Sequence, residues 1–340
     1  MVVKVMRREF IQRCLLAGIG AAAFAPGNPL LAVSQTRSSK EPFNGIFPII
    51  QTPFREDYEI DENVLEKEVD YVIECGGHGI VWPQLASEFY MLTDEERFKT
   101  MEVIVKAAHG RIPVIIGVQS TNYWKTSLKF AQHAESIGAD GIISLPPYTS
   151  NATVEATAEY FRTLARTVSL PIFVQNSGGT YGPAMPIDMI ISIAREYPAV
   201  SYIKEEAEPV FERMVELTKN GKGILKGVLS GANGINLMNE LKGGSSGSCP
   251  GAGFVDVFAS IYENFRKGKE EKAGEMFELL LPMQKFDKIG WLAREKEILR
   301  RRGIFKNTRM RVAPYELVWD KTIEREFEVL FEKIKPYFKV

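Results

Sequence analysis

Short apolar runs alternate with amphipathic segments along the chain from Phe43 onward. The apolar runs are rich in β-branched residues and end at glycine or proline, which is typical of buried parallel strands. The amphipathic segments repeat their apolar positions at helical spacing. Strands are predicted at 45–51, 79–82, 114–118, 142–145, 171–175, 199–204, 224–228 and near 245–251. Helices are predicted from Asp61 and at 93–108, 124–137, 153–168, 186–197, 209–219, 233–241 and 256–266.

Eight strands that alternate with helices predict an α/β fold of the (β/α)8 TIM barrel type over residues 43–267. A doubly wound sheet is the alternative, but no GxGxxG motif follows the first predicted strand. Further helical patterns at 269–286, 291–302 and 321–337 predict a C-terminal helical extension over residues 268–340. This extension is expected to pack on the barrel or on a neighbouring subunit.

The first 34 residues have the character of a targeting segment. Arg7 and Arg8 precede Phe10, and a weakly apolar stretch follows that ends at Pro26. Paired arginines in this position are typical of a twin-arginine signal, with an ordinary secretory signal as the alternative. We therefore predict a signal segment at 1–34, a polar linker at 35–42, and export to the periplasm. If the signal is not used, the protein is cytoplasmic; no stable membrane insertion is expected after signal removal.

Composition narrows the classes of function. The 42 basic and 43 acidic residues leave a net charge near zero, so the chain has no basic surface of the kind that binds nucleic acid. Its three cysteines and three histidines are scattered and have neither disulfide-framework nor metal-ligand spacing. We expect a small-molecule substrate and no metal.

The candidate chemistry lies at the carboxyl ends of the predicted strands, where barrel enzymes place their active sites. Lys204 ends the apolar run that begins at Ala199. A desolvated amine loses its proton more easily and can attack a ketone to form a Schiff base. Strand-end lysines can also simply reach water, which is the alternative interpretation.

Two further features lie near this lysine. Because side chains alternate along a strand, Glu206 is expected on the same side as Lys204, either as an acid or base or as a surface charge, with the surface charge preferred. The glycine-rich run 243–251 can bring backbone amides close to an anion, although tight turns also require glycine. Cys249 in this run is expected to line the pocket, without features of an activated thiol.

Several segments together resemble the dihydrodipicolinate synthase and N-acetylneuraminate lyase superfamily of Schiff-base lyases. The similar segments are 49–54, Ser87-Glu88 followed by 92–97, 111–117, 138–141 with Pro146-Pro147-Tyr148, Leu170-Pro171 with Asn176, and 203–205. The resemblance implies that Lys204 forms an imine with pyruvate or another 2-oxo acid. It also implies a homo-oligomer, either a tetramer or a dimer, with the C-terminal helices as a possible interface.

The chain departs from this family at several substrate-binding positions. The family's Gly-Thr-Thr-Gly-Glu is replaced by Gln84-Leu85-Ala86-Ser87-Glu88, whose backbone amides can still hold a carboxylate. The family's catalytic tyrosine is replaced by Gln175, which cannot ionise. Tyr148 is retained, but Thr149 stands where the family has a second tyrosine, and Thr180 stands near the position of a basic residue.

These departures favour a divergent lyase over the biosynthetic synthase. We predict a class I lyase, either a dehydratase or an aldolase, that acts on a 2-oxo-3-deoxy sugar acid and needs no metal or organic cofactor. One alternative is a synthase-like condensation of pyruvate with an aldehyde. The other is an exported protein that binds a 2-oxo acid without catalysis.

Overall fold

The structure is a computed structural model that describes residues 42–121, 123–148, 152–312 and 319–340. The expected signal segment at 1–34, nearly all of the linker at 35–42, and Thr149 lie outside the described residues. Within the described ranges, no helix is both long enough and apolar enough to cross a lipid bilayer.

Eight parallel strands form one sheet in the described part of the chain. They are β1 (Gly45–Ile46), β2 (Ile80–Trp82), β3 (Val114–Gly117), β4 (Gly141–Ser144), β5 (Ile172–Asn176), β6 (Val200–Glu205), β7 (Gly227–Ser230) and β8 (Gly247–Ser248). Each strand from β2 to β8 pairs with the next, and β8 pairs with β1. The Ile50 N–H donates to the Val81 carbonyl (3.1 Å) and the Val81 N–H donates to the Pro48 carbonyl (3.0 Å), which closes the ring.

Helices follow the strands in sequence and cover the outside of the barrel. The barrel helices are α1 (Glu62–Glu74), α2 (Asp94–Ala108), α3 (Trp124–Ser136), α4 (Val154–Thr167), α5 (Ile187–Glu196), α6 (Val210–Asn220), α7 (Leu237–Lys242) and α8 (Val255–Arg266). The helices of the extension are α9 (Glu270–Gln284), α10 (Trp291–Arg301) and α11 (Lys321–Ile334). The predicted (β/α)8 barrel with C-terminal helices is confirmed.

Aromatic side chains fill the inside of the barrel beneath the strand ends. The rings of Phe173 and Tyr202 stack with centroids 4.4 Å apart, and the Phe43 ring lies 5.2 Å from Tyr202. All three side chains are buried. Phe173 and Tyr202 lie two residues before Gln175 and Lys204, so they support these two side chains from below.

The extension packs on one side of the barrel. Helix α9 lies against α8, and α11 lies against α9, around an apolar cluster that includes Leu280 and Phe327. Helix α10 contacts the turn Ala252–Phe254 that follows β8. Its Lys296 ammonium lies 2.6 Å from the Glu88 carboxylate in the loop after β2. The extension therefore reaches the end of the barrel at which the strands terminate.

Three element boundaries differ from the prediction. The first strand was expected over 45–51 but is limited to Gly45–Ile46, with further pairing at Ile49, because Pro250 in the facing segment after β8 has no N–H to donate. The seventh strand begins later than expected, since Ile224 and Leu225 both donate to the Gly221 carbonyl in a turn. The helix expected over 233–241 begins only at Leu237, because Asn233 has a φ of 53° in the left-handed region.

Candidate active site

Lys204 lies at the carboxyl end of β6 and points into the barrel. It is in register with Gln175 on β5 and with Leu229 on β7. Its side chain is only 4% exposed. The alternation that buries Tyr202 inside the barrel also directs Lys204 inward, two residues further along the strand. The amine is thus at the position where the active sites of parallel barrels are found.

Glu206 continues this alternation and forms a close pair with the lysine. Its Oε1 lies 3.1 Å from Lys204 Nζ and accepts the Ala232 N–H at 3.0 Å. Its Oε2 accepts hydrogen bonds from Gln175 Nε2 (2.6 Å) and from the Ser177 hydroxyl (2.9 Å). Burial acts to raise the pKa of Glu206, but Lys204 and these hydrogen bonds outweigh it and hold this pKa below its ordinary value.

The preferred expectation that Glu206 is a surface charge was wrong. Its side chain is 18% exposed and belongs to the wall of a cavity. The turn after β7 makes room for it, because a Cβ on Gly231 would lie 2.1 Å from Glu206 Oε1. The glycine therefore allows the carboxylate to approach the backbone and accept the Ala232 N–H.

Gln175 occupies the position at which the family resemblance predicts a tyrosine. It is 1% exposed, and its amide nitrogen is committed to Glu206. Its Oε1 is buried and has no partner among the described residues. Buried amide oxygens normally accept a hydrogen bond. The Nε2 of Gln175 therefore orients Glu206, and its Oε1 is available to accept a hydrogen bond from a ligand.

A cavity of about 310 Å³ opens at these strand ends. Its lining residues come from the strand ends, the loops that follow them and the extension. They are Ile49, Leu85, Ala86, Tyr181, Lys204, Glu206, Ala232, Asn233, Cys249, Gly251, Trp291 and Arg294. Its size is at the small end of the range for ligand pockets. The cavity suits a small organic acid.

Several of the expected site residues share this cavity. Leu85 and Ala86 begin a short helical turn, whose first N–H groups have no partner within the turn. Cys249 is buried in the wall, and burial raises the pKa of its thiol to about 12. The thiol is therefore neutral at physiological pH, as the expected absence of an activated thiol requires.

The structure does not bring every expected residue to the cavity. The Ser87 hydroxyl donates to the Ile50 carbonyl at 2.6 Å and accepts the Gln84 N–H at 3.1 Å, so it stabilises the loop. Tyr148 packs edge-on against Tyr181 with centroids 5.5 Å apart, and only Tyr181 lines the cavity. The Tyr181 side chain therefore separates Tyr148 from the cavity.

Sequence reasoning missed six lining residues of the cavity, among them two loop residues and two residues of α10. Tyr181 and Asn233 belong to loops, and Trp291 and Arg294 lie one turn apart on α10. The Asn233 Oδ1 accepts the Gly251 N–H at 2.6 Å, which links the turns after β7 and β8. The run Gly231-Ala232-Asn233-Gly234 was a usable signal, because asparagine tolerates the left-handed conformation that Asn233 adopts. The α10 residues had no signal, since helical patterning does not say which barrel edge a helix covers.

A second cavity of about 540 Å³ adjoins the first. It is lined by the loop 177–181 and shares Leu85, Tyr181 and Glu206 with the first cavity. Glu206 is therefore accessible from both sides. In the described ranges, no three His, Cys, Asp or Glu side chains are grouped as metal ligands.

Comparison with known proteins gives the family. The profile of the Dihydrodipicolinate synthetase family matches residues 42–325. The L-2-keto-3-deoxyarabonate dehydratase of Azospirillum brasilense is 28% identical over 295 residues, which cover 85% of this chain and 94% of the relative. The 4-hydroxy-tetrahydrodipicolinate synthase of Methanocaldococcus jannaschii is 31% identical over 244 residues, which cover 72% of this chain and 82% of the relative.

Solved structures agree with this result. The crystal structure of dihydrodipicolinate synthase from Thermotoga maritima matches with a TM-score of 0.75 and 26% identity, over 88% of this chain and 99% of that one. The family profile spans most of the chain, and the described residues form the same barrel with a C-terminal extension. This chain belongs to the Dihydrodipicolinate synthetase family.

Proposed function

We propose that this protein, a lyase of the dihydrodipicolinate synthase type, forms a Schiff base between Lys204 and a 2-oxo-3-deoxy sugar acid. The observation that carries the proposal is the close pair of Lys204 and Glu206, 3.1 Å apart in the wall of the cavity at the strand ends. Imine chemistry requires a primary amine as the nucleophile and a neighbouring group that acts as a general acid or base.

The first step joins the substrate to the enzyme. Glu206 first accepts a proton from the Lys204 ammonium, and the neutral Nζ then adds to the C2 carbonyl. The protonated carboxyl returns this proton to the hydroxyl of the adduct, which leaves as one water molecule, and the protonated imine remains. The substrate carboxylate accepts the first N–H groups of the turn that begins at Leu85 and Ala86, which compensate its charge. Once protonated, the imine withdraws electrons from C3, so this chemistry requires neither a metal nor an organic cofactor.

Glu206 is the group that replaces the absent tyrosine as the proton carrier. The carboxylate removes a C3 proton to give the enamine, and the protonated carboxyl then donates that proton to the C4 hydroxyl. The hydroxyl leaves as water, and hydrolysis of the imine releases the dehydrated 2-oxo acid and restores Lys204. A lowered pKa keeps Glu206 ionised before the first transfer, and Gln175 and Ser177 hold it in place.

Cleavage of the C3–C4 bond is the competing outcome from a similar imine. It requires removal of the C4 hydroxyl proton in place of protonation of the hydroxyl, so the same carboxylate serves either reaction. The dehydratase assignment is supported by the similarity to the L-2-keto-3-deoxyarabonate dehydratase over nearly its whole length. We therefore place dehydration first and aldol cleavage second.

The similarity to 4-hydroxy-tetrahydrodipicolinate synthase supports condensation of pyruvate with an aldehyde as a second candidate. Gln175 argues against that reaction, since an amide cannot relay protons as a phenol does. A non-catalytic binding protein is the third candidate, and the presence of Lys204 beside Glu206 in the cavity wall argues against it.

Product analysis separates these candidates. The purified protein is incubated with a panel of five- and six-carbon 2-oxo-3-deoxy sugar acids, and products are followed by NMR. Dehydration gives a single product that has lost one water molecule, whereas aldol cleavage gives pyruvate and an aldehyde. A parallel reaction contains pyruvate and aspartate semialdehyde. Binding that raises the melting temperature, with no product from any substrate, would contradict the proposal.

Export and assembly are separate proposals. Arg7 and Arg8 in the first 34 residues support export through a twin-arginine route. Replacement of both arginines by lysine is expected to retain the protein in the cytoplasm, as cell fractionation would show.

We also propose a homo-oligomer, either a dimer or a tetramer. In size-exclusion chromatography, an elution volume that corresponds to a monomer would contradict this proposal.

A further inference from the structure

The C-terminal extension supplies one wall of the catalytic cavity. Trp291 and Arg294 lie at the start of α10, one turn apart, and both line the cavity that contains Lys204 and Glu206. The cavity therefore has a strand-end side, which carries the reactive amine, and an α10 side, which is outside the barrel. A substrate longer than pyruvate extends from the first side toward the second.

Arg294 is held rigidly at this wall. Its side chain is 4% exposed, and Nη1 donates to the carbonyls of Gln284 (2.5 Å) and Phe286 (3.1 Å). Its Nε and Nη2 lie 3.4 Å and 3.3 Å from Glu295 Oε1. A guanidinium has five N–H donors, so these contacts leave one N–H of Nη2 for another acceptor. Because the group is already fixed, little conformational entropy is lost when it binds a ligand.

The charge around Arg294 selects the kind of acceptor. Glu295 is 1% exposed, and its Oε1 also accepts a hydrogen bond from Asn233 Nδ2 at 2.9 Å. The carboxylate largely balances the guanidinium, and it would repel a second anionic group on the substrate at close range. A neutral acceptor avoids that repulsion. The site therefore favours a hydroxyl over a carboxylate or phosphate.

We propose that Arg294 is a specificity-determining residue that donates a hydrogen bond to a hydroxyl of the substrate beyond C4. This inference rests on the proposed function, because it takes the imine at Lys204 as the fixed end of the substrate. It deepens that function by naming the substrate class: 2-oxo-3-deoxy acids with a neutral, hydroxylated end, in preference to diacids and phosphorylated acids.

Two substrates that differ only beyond C4 test the inference. One is 4-hydroxy-2-oxobutanoate, which has the C4 leaving group but nothing beyond it. The other is a 2-oxo-3-deoxypentonate, which adds a C5 hydroxyl. In the wild type, kcat/KM is expected to be higher for the five-carbon acid. In Arg294→Lys, we expect kcat/KM for the five-carbon acid to fall about 10- to 100-fold, with little change for the four-carbon acid.

The control is Arg300→Lys, on the same helix, where the half-exposed guanidinium pairs with Glu297. This substitution should leave kcat/KM unchanged for both acids. Trapping of pyruvate by borohydride should be unaffected in all variants, because pyruvate is too short to have a group beyond C4. If Arg294→Lys lowers kcat/KM by the same factor for both acids, the role of Arg294 is purely structural and the inference is overturned.

Variants that fail to fold do not prevent the test. Wild-type protein with no preference between the two acids, or with a preference for a diacid of the same length, would by itself overturn the inference. Trp291→Ala removes a half-exposed side chain from the cavity wall. It should lower kcat/KM only for the five-carbon acid, and by a smaller factor than Arg294→Lys does. If no imine is trapped with any acid, the proposed function fails, which is a distinct result.

Discussion

Among the residues that the structure describes, two lysines are buried beside a carboxylate, and their surroundings differ. Lys204 is 4% exposed and lies 3.1 Å from Glu206, in the wall of a cavity of about 310 Å³. Lys296 is fully buried, 2.6 Å from Glu88, and its ammonium lies 4.5 Å from the centre of the Phe54 ring. Only Lys204 has space beside it for a carbonyl compound.

Burial beside a carboxylate does not by itself distinguish the two lysines. Burial lowers the pKa of Lys296, although the Glu88 carboxylate opposes this shift. Lys296 nevertheless donates to Glu88 and to the Arg309 carbonyl (2.6 Å), so its nitrogen is enclosed by protein. Access to a substrate-sized cavity distinguishes the two lysines.

The pair of Lys296 and Glu88 connects the C-terminal extension to the loop after β2. Glu88 accepts the N–H groups of Arg311 (2.8 Å) and Val312 (3.1 Å) as well as the lysine. It has a φ of 56° and directly follows the turn that carries Leu85. The pair therefore fastens the extension to the loop that lines the cavity.

The largest expected effect is loss of the imine. Lys204→Ala should abolish the mass adduct that borohydride traps with pyruvate, and should lower turnover at least about a thousandfold, because the nucleophile is removed. Intact-mass spectrometry measures the adduct. Lys296→Met, in its folded fraction, should still form it. An adduct that persists without Lys204 but disappears without Lys296 would reverse the assignment of the two lysines.

Replacement of Glu206 should separate imine formation from later proton transfer. In Glu206→Gln, we expect kcat to fall about 100- to 10,000-fold, because an amide cannot carry a proton between C3 and the C4 hydroxyl. Adduct formation with pyruvate should persist. Unchanged turnover in this variant would show that another group moves the proton.

Removal of the second lysine should mainly affect stability. Lys296→Met leaves the Glu88 carboxylate buried without its cation, which should lower the free energy of unfolding by about 3–5 kcal/mol. Adding Glu88→Gln should recover part of this loss. The exposed pair of Lys288 and Glu326 provides the control, since Lys288→Met should change stability by less than about 1 kcal/mol. Urea unfolding measures all four proteins.

The smallest expected effect is the pH dependence of the contribution that Glu206 makes to the free energy of unfolding. The pKa of Glu206 lies below its ordinary value of 4.5, so its ionised form stabilises the fold. This contribution is fully present above about pH 5 and is lost as pH falls through the lowered pKa, at no more than about 1.4 kcal/mol per pH unit. The stability gap between wild type and Glu206→Gln should be constant at pH 5–7 and narrow below pH 4.5. A gap that widens on acidification would mean that the pKa is raised.

Local pattern was sufficient to predict the barrel and to place Lys204 at the end of one of its strands. Alternation along β6 places Tyr202, Lys204 and Glu206 on one side, and the strand-end rule of parallel barrels places the amine at the active-site end. Departures from the predicted elements were local, as at Pro250 and Asn233, where a missing donor or a left-handed residue interrupts a run.

Tertiary structure alone decided the surroundings of that lysine. Glu206 is a site carboxylate because Gly231, from another strand end, leaves room for it. Trp291 and Arg294 reach the cavity only because the extension folds back over the barrel, where Lys296 pairs with a residue 208 positions earlier in the chain. Periodicity reports neighbours within one turn or one strand. Contacts between distant segments depend on how whole elements pack, so the sequence determined where Lys204 lies on its strand and the packing determined what surrounds it.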